Sequence, residues 1–483
     1  MTHSHYALHT DKYQINMLYA HWFHGTHNQR AVFDVFYRKQ PFGNGFAVFA
    51  GLERLVHYLN ELRFKEEEIA YLAEQEEGYD PRFFEELRNF RFTGTLHAME
   101  EGTIVFPNEP LIRVEARVFE AQLIETALLN FVNFQTLIAT KAARIKQVAG
   151  QDRLLEFGTR RAQEADAAVW GARATYVAGF DATSNMQAGM RFGIPTKGTH
   201  AHAWVQNHRT ELEAFERFAE ALPDQVTLLV DTYDTLKFGV PDAITVGLKM
   251  KEKGKTLKGI RLDSGDLTYL SIQARRMLDE AGLTETRITA SNDLDENTIF
   301  EIKAQGARID IWGVGTQLIT GGSQPALGGV YKLVAREENG ELVPTIKISG
   351  NPEKITNPGI KDVYRIISRK TGRAEGDYIT LHGDEDVPHG KPIRLFNPTH
   401  TFIQKTVSDY EAVPLLKPIY VEGKQVYELP TLDRIRELHR EQMSWFWPEY
   451  LRRLNPEVYP VDLSQKAWDM KMDLIRSHLE PKE

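Results

Sequence analysis

Cysteine is absent from all 483 residues. Its absence excludes disulfides, thiolate catalysis and cysteine metal ligands, and fits a reducing compartment. Long hydrophobic runs are missing as well: no stretch approaches the roughly 18 uncharged apolar residues that a membrane span needs. The first twenty residues carry neither an apolar core nor a small-residue cleavage pattern, so no export is expected and the predicted location is cytoplasmic. Basic charge is not in excess. With 58 Lys and Arg against 67 Asp and Glu the net charge is −9, which argues against nucleic acid as a partner while leaving room for a basic pocket around a phosphorylated small molecule. Low-complexity tracts, Gly/Ser linkers and fixed-period repeats are also absent.

What remains is ordinary globular text, too long for one core, and two or three packed units are expected. Residues 1–120 read as an N-terminal α/β unit, with strand-like runs at 31–37, 102–106 and 111–114, a helix at 64–75 and a turn at Pro107-Asn108-Glu109-Pro110. A long helical pattern over 121–149, closed by Gly150, leads into the second unit, 121–348. There, strand candidates at 154–157, 176–180, 196–199, 226–230, 259–262, 288–290 and 309–314 alternate with helical stretches at 162–174, 211–222, 267–281 and 296–305. Such alternation implies parallel βα units, either an open doubly wound sheet or a barrel, and seven candidates favour an irregular barrel. Residues 349–483 form a smaller unit with a hairpin around Glu422-Gly423 and a helix starting near Thr431, and this unit is expected to pack on the first.

The candidate chemistry lies just after the strand candidates. Phe157-Gly158-Thr159-Arg160, Asp181, His200 and His202, Asp231, Arg261 with Asp263-Ser264, Ser291-Asn292 and Gly315-Thr316 all occupy such positions. In a βα barrel these are the C-terminal strand ends, where active sites are built. Arg160 and Arg161 can clamp a phosphate or carboxylate, or pair with Glu164 on the next turn. Arg261 alternates with Ile260 and Leu262 inside a buried strand, so it needs an anion, either a ligand or Asp263. The run Asp263-Ser264-Gly265-Asp266 enters a helix and reads as an anion-facing turn or a plain N-cap. The glycines of Gly313-Val314-Gly315-Thr316 and Gly321-Gly322 permit close phosphate approach or serve turns.

Sixteen histidines are present, most of them scattered, including His3, His5 and His9. In Gly198-Thr199-His200-Ala201-His202 the two imidazoles share a side if extended. A zinc pair would want a third ligand, and none has compelling spacing. Asp231 is the kind of group that orients an imidazole and stabilises its cation, which favours histidine as nucleophile or base.

Taken together these blocks resemble the nicotinate phosphoribosyltransferase family along essentially the whole chain. Thr10-Asp11-Lys12-Tyr13-Gln14, Gly179-Phe180-Asp181-Ala182-Thr183-Ser184-Asn185, Asp231-Thr232-Tyr233-Asp234 and Gly328-Gly329-Val330-Tyr331-Lys332-Leu333 complete the set, in family order. The resemblance implies an irregular α/β barrel with fewer regular strands than eight, an N-terminal α/β unit shared with part of the C-terminal region, and a homodimer in which the N-terminal segment of one subunit reaches the barrel of the other. It implies that Tyr13 and Phe157 sandwich the pyridine ring; the alternative for Tyr13 is a core position. Arg261, Thr199 and Asp181 would hold nicotinate. Arg160, Asp263, Ser264, Ser291, Asn292, Gly315 and Thr316 would surround the phosphates of phosphoribosyl pyrophosphate (PRPP) and ATP, accompanied by Mg²⁺. His202 would become a phosphohistidine hydrogen-bonded by Asp231, while His200 occupies a variable position. Ala203 stands where many relatives have a hydroxyl residue. The implied reaction makes nicotinate mononucleotide and couples its formation to ATP hydrolysis, the first step of NAD salvage from nicotinate. Competing readings are a nicotinamide or quinolinate phosphoribosyltransferase, a silent nucleotide-binding barrel, and a zinc hydrolase using His200 and His202.

Overall fold

The computed structural model describes residues 6–351, 354–384 and 391–479; His3 and His5 fall outside the described residues. The chain divides into two compact units, one of Met1–Leu137 with Ala326–Glu483 and one of Ile138–Pro325.

The second of these is built on six parallel strands: β1 (Arg153–Glu156), β2 (Ala182–Thr183), β3 (Thr227–Leu229), β4 (Gly259–Leu262), β5 (Arg287–Ala290) and β6 (Ile311–Val314), in the sheet order β2-β1-β6-β5-β4-β3. They are short, and most of their residues are buried, as expected for parallel strands covered by helices. The helix Leu267–Glu280 buries Leu267, Ser271, Ala274 and Leu278 at helical spacing. Thr210, Asp266 and Asp295 cap the helices that follow them by accepting hydrogen bonds from the amides of Glu213, Tyr269 and Thr298. Parallel pairing aligns Leu229, Arg261 and Thr289 across three neighbouring strands, so the C-terminal ends of β3, β4 and β5 lie side by side.

Two strand candidates are corrected. Residues 176–180 begin as the last turn of the helix Ala165–Val177, and the strand is displaced to β2. Tyr and Val there belong to a helix that is buried almost all round, where apolar periodicity no longer separates the two states. Around 196–199 only an isolated bridge between Thr183 and Thr196 forms. The long helical pattern is two helices, Val118–Leu123 and Glu125–Ala149, the second ending at Gly150 with φ +66°.

In the other unit the two ends of the chain interleave. The strand Arg30–Tyr37 pairs with both Gly329–Glu338 and Ile112–Arg117, and Thr95–Ala98 pairs with Lys417–Val421, all antiparallel, within one seven-stranded sheet. Glu422 and Gly423, at φ +47° and +76°, make the expected hairpin turn with Tyr420 opposite Gln425. Thr431 caps the helix Leu432–Trp445. A second sheet holds a fully buried ion pair: Arg365 Nε and Nη2 donate to Asp377 Oδ1 and Oδ2 at 2.9 and 2.7 Å, with both side chains at 0% exposure. Tyr459 donates to the same carboxylate at 3.0 Å. Removing one partner of such a pair strands a buried charge. Asp377→Asn is therefore expected to destabilise the chain by about 3–5 kcal/mol, read as a lower urea midpoint, whereas an unchanged midpoint would show that the pair contributes nothing.

Candidate active site

The C-terminal ends of β3, β4 and β5 carry a connected polar network with Arg261 at its centre. The side chain is 17% exposed. Its Nε donates to Ser291 Oγ at 2.8 Å, Nη1 to Thr199 Oγ1 at 3.1 Å and Nη2 to Asp263 Oδ1 at 2.8 Å. A guanidinium has five N–H donors, so three are engaged within the chain and the others remain for a guest. Of the two alternatives left open for Arg261, the pair with Asp263 is formed, and it leaves donor capacity on the guanidinium.

Asp263 is shared. One oxygen accepts from Arg261 and from the Ser291 hydroxyl, while the other lies 3.8 Å from His202 Nε2. Burial works against its ionisation, but the Ser291 hydroxyl and the Arg261 guanidinium outweigh it and hold the carboxyl below its usual range. The next turn is fixed from the neighbouring strand end: Asp231 Oδ2 accepts both the Asp263 amide and the Ser264 hydroxyl, each at 2.7 Å.

That arrangement corrects the expected pairing of His202 with Asp231. The Asp231 carboxylate is committed to the Asp263-Ser264 turn, and its other oxygen is buried without a hydrogen-bond partner among the described residues. His202 instead opens the short helix His202–Gln206, with Nδ1 3.1 Å from Thr232 Oγ1, Nε2 facing Asp263 and 38% of the side chain exposed. A hydroxyl and a carboxylate bracket the ring, and its exposed edge leaves it open to a phosphate.

His200 is a different kind of residue. It is 8% exposed, its Nε2 accepts the Leu229 amide at 3.1 Å, and Phe215 and Phe218 pack against the ring. Burial lowers its pKa to about 4. With one nitrogen occupied by the backbone, His200 and His202 do not make a metal pair, and no cluster of three or more His, Cys, Asp or Glu able to hold a metal occurs among the described residues.

Phe157 follows β1, and the Arg261 guanidinium lies 5.4 Å from its ring centroid. A Cβ on Gly313 would come within 2.6 Å of that ring, so this glycine clears space for Phe157. Gly315 and Thr316 follow β6 and begin the short helix Thr316–Ile319. Arg160 and Arg161 are exposed on the turn Thr159–Arg161 and form no ion pair with Glu164. Asn292 is exposed with φ +98°.

Two assigned residues lie elsewhere. Asp181 precedes β2, and its Oδ2 accepts the Leu154 amide at 2.9 Å near the start of β1, so it tethers the opposite end of the strands. Tyr13 belongs to the first unit, on the helix Lys12–Phe23, and is 51% exposed rather than part of a core. Two contributors were not assigned from the sequence. Thr232 escapes because the alternation rule stops at Leu229, where β3 ends. Glu156 carries a legible signal, a carboxylate in the apolar run of β1. It is buried, accepts from the Thr183 hydroxyl at 2.5 Å and from the Gly158 amide, and so holds the loop bearing Phe157.

Three family models cover most of the chain: the nicotinate phosphoribosyltransferase N-terminal domain over 8–133, the nicotinate phosphoribosyltransferase family over 153–360, and its C-terminal domain over 360–471. The chain belongs to the nicotinate phosphoribosyltransferase family. It is 56% identical to the nicotinate phosphoribosyltransferase of Bacillus subtilis over 471 residues, 97% of this chain and 95% of the relative. To the Mus musculus nicotinate phosphoribosyltransferase it is 32% identical, covering 95% and 94%. The crystal structure of human nicotinic acid phosphoribosyltransferase superposes with a TM-score of 0.86 at 30% identity, covering 96% and 99%.

The buried imidazole gives a stability test. His200 takes up a proton near 6.5 when unfolded but only near 4 when folded, so its favourable contribution is complete above 6.5 and is lost as pH falls towards 4. The decline in urea midpoint from pH 7 to pH 5 should be shallower in His200→Asn than in the parent. An equal decline would contradict the buried neutral ring.

Proposed function

We propose that the chain is a nicotinate phosphoribosyltransferase that joins nicotinate to the phosphoribosyl group of PRPP and couples this to ATP hydrolysis, at the start of NAD salvage from nicotinate. The observation that carries the reading is the Arg261 guanidinium with donors to spare, beside the Phe157 ring and the Thr199 hydroxyl. An aromatic carboxylate suits both groups: the carboxylate meets the guanidinium bidentately and the ring meets Phe157. High identity to the Bacillus subtilis relative supports the same reading.

In the proposed chemistry, the pyridine nitrogen forms a bond to C1 of the ribose as the C1–O bond to pyrophosphate breaks. Positive charge grows on the sugar and negative charge on the leaving group. The carboxylate of Asp263 is suited to the former, and Arg160 with the Gly315-Thr316 backbone to the latter. Ser264, Ser291 and Asn292 would complete the polar rim. Magnesium, carried on the phosphates of ATP and PRPP, would neutralise the departing pyrophosphate. ATP is proposed to phosphorylate His202: an N–P bond forms, the bond between the β-phosphate oxygen and the γ-phosphorus breaks, ADP leaves, and water later releases phosphate. Thr232 lies 3.1 Å from Nδ1, and the Asp263 carboxylate, 3.8 Å from Nε2, is suited to stabilise the positive charge that grows on the imidazole as the N–P bond forms, the ring proton passing to water.

The strand order supports an irregular barrel. β1 pairs with both β2 and the last strand, β6, as in a closed ring interrupted between β2 and β3. Tyr13, exposed and without a ring partner among the described residues, is suited to complete the pyridine pocket of a second subunit in a homodimer. No described helix is long and apolar enough to cross a membrane, and a cytoplasmic location remains the proposal.

A competition assay separates this from the nicotinamide-using alternative. Nicotinate is expected to outcompete nicotinamide for PRPP. Losing its charge-assisted hydrogen bonds, at about 1.5–3 kcal/mol, should raise KM for nicotinate roughly 10- to 150-fold in Arg261→Gln. Preference for nicotinamide, or an unchanged KM in the variant, would overturn the assignment.

A further inference from the structure

The unit formed by the two chain ends contains a cavity of about 670 Å³, within the roughly 300–1,000 Å³ typical of small-molecule sites. None of its lining residues belongs to the polar network around Arg261. The inner wall carries the Asp34–Lys361 pair, 2.9 Å apart with both side chains 2% exposed. Lys361 also donates to the carbonyls of Asn357 and Gly359 at 2.8 and 2.5 Å, so its three protons are used. That lysine is structural.

Arg38, whose Nε is buried without a hydrogen-bond partner among the described residues, also lines the cavity, and two further lining groups lack a counter-charge or a donor. Lys471, from the helix Gln465–Leu479, donates to Asn357 Oδ1 at 2.8 Å and has no carboxylate partner among the described residues. Burial and the neighbouring Lys361 bring its pKa down to about 8, the behaviour of an ammonium without a counter-ion. Asp462 is 3% exposed and its carboxylate accepts no hydrogen bond among the described residues. Burial raises it to about 6, with Lys405 opposing. The rest of the lining is mixed, with Phe36, Ile355, Leu395 and Ile403 among its apolar members and Arg38 and Lys405 among its cations. A half-buried ammonium lacking an anion and a buried carboxyl lacking a donor, in a cavity whose lining also includes apolar side chains, suit a guest with an anionic end, hydroxyl or amino donors and an apolar body.

We propose that this cavity is a second ligand site that takes a nucleoside phosphate, with the phosphate on Lys471 and Asn357, sugar or base donors on Asp462, and the base against the apolar side chains of the lining. The site does not depend on the proposed reaction, because Arg261 and His202 contribute nothing to it.

Isothermal titration of the full chain with AMP tests the assignment, with adenosine and inorganic phosphate as separate arms. AMP should bind, adenosine at least tenfold more weakly, and inorganic phosphate at least tenfold more weakly. Lys471→Met and Asp462→Asn should each weaken AMP at least tenfold while keeping the parent's unfolding midpoint and turnover. Arg261→Gln should leave AMP affinity within twofold. The proposal is overturned by no AMP binding at millimolar concentration, by equal affinity for phosphate alone, by parental affinity in both cavity variants, or by loss of binding in Arg261→Gln, which would put AMP at the catalytic pole. If one cavity variant unfolds, the other decides on the same criteria.

Discussion

A guanidinium held in a parallel sheet is the constraint on which the candidate site depends. Arg261 sits near the end of β4, flanked by Leu229 and Thr289 in the adjacent strands, where solvation is poor and an unpaired charge would be costly. Asp263, Ser291 and Thr199 supply that solvation from three different chain segments. Satisfying the arginine therefore brings together the residues that a carboxylate-bearing substrate would meet. Asp231 extends the network by fixing the turn that carries Asp263 and Ser264, so orientation passes from the backbone of one strand end to the side chain of the next.

The two histidines show how environment divides one residue type between structure and chemistry. His200 and His202 are two residues apart. One accepts a strand amide and is sealed by phenylalanines; the other lies at the rim between a hydroxyl and a carboxylate. Only the second combines exposure with fixed orientation, as proton or phosphoryl transfer requires. Asp263 lies between Arg261 and this imidazole, hydrogen-bonded to the arginine and 3.8 Å from the ring.

Much of this was legible in the sequence because a parallel sheet repeats one pattern: an apolar run, then polar residues where the strand ends. That pattern located Arg261, Asp263, Ser264 and Ser291, which the fold joins, whereas Thr199 came only from the family resemblance, because the segment before it forms no strand. It misplaced Asp181, since the run before it is a helix terminus and the aspartate meets the start of β1. The carboxylate partner of His202 was misassigned for a related reason. Residue type identifies a carboxylate near an imidazole, but the backbone amide that already occupies Asp231 is a tertiary contact with no sequence signal. Thr232 is invisible in the same way. The interleaving of both chain ends in one sheet also lies beyond local patterning, because strand pairing across some three hundred residues leaves no periodicity to read.

In the proposed cycle His202, bracketed by Thr232 and Asp263, carries phosphate during turnover. Incubation with ATP labelled at the γ-phosphate, followed by acid and base treatment and peptide mapping, tests it most directly. An acid-labile, base-stable label confined to His202 and absent from His202→Ala is expected. A label on another residue, or none under conditions where the enzyme turns over with ATP, would contradict it.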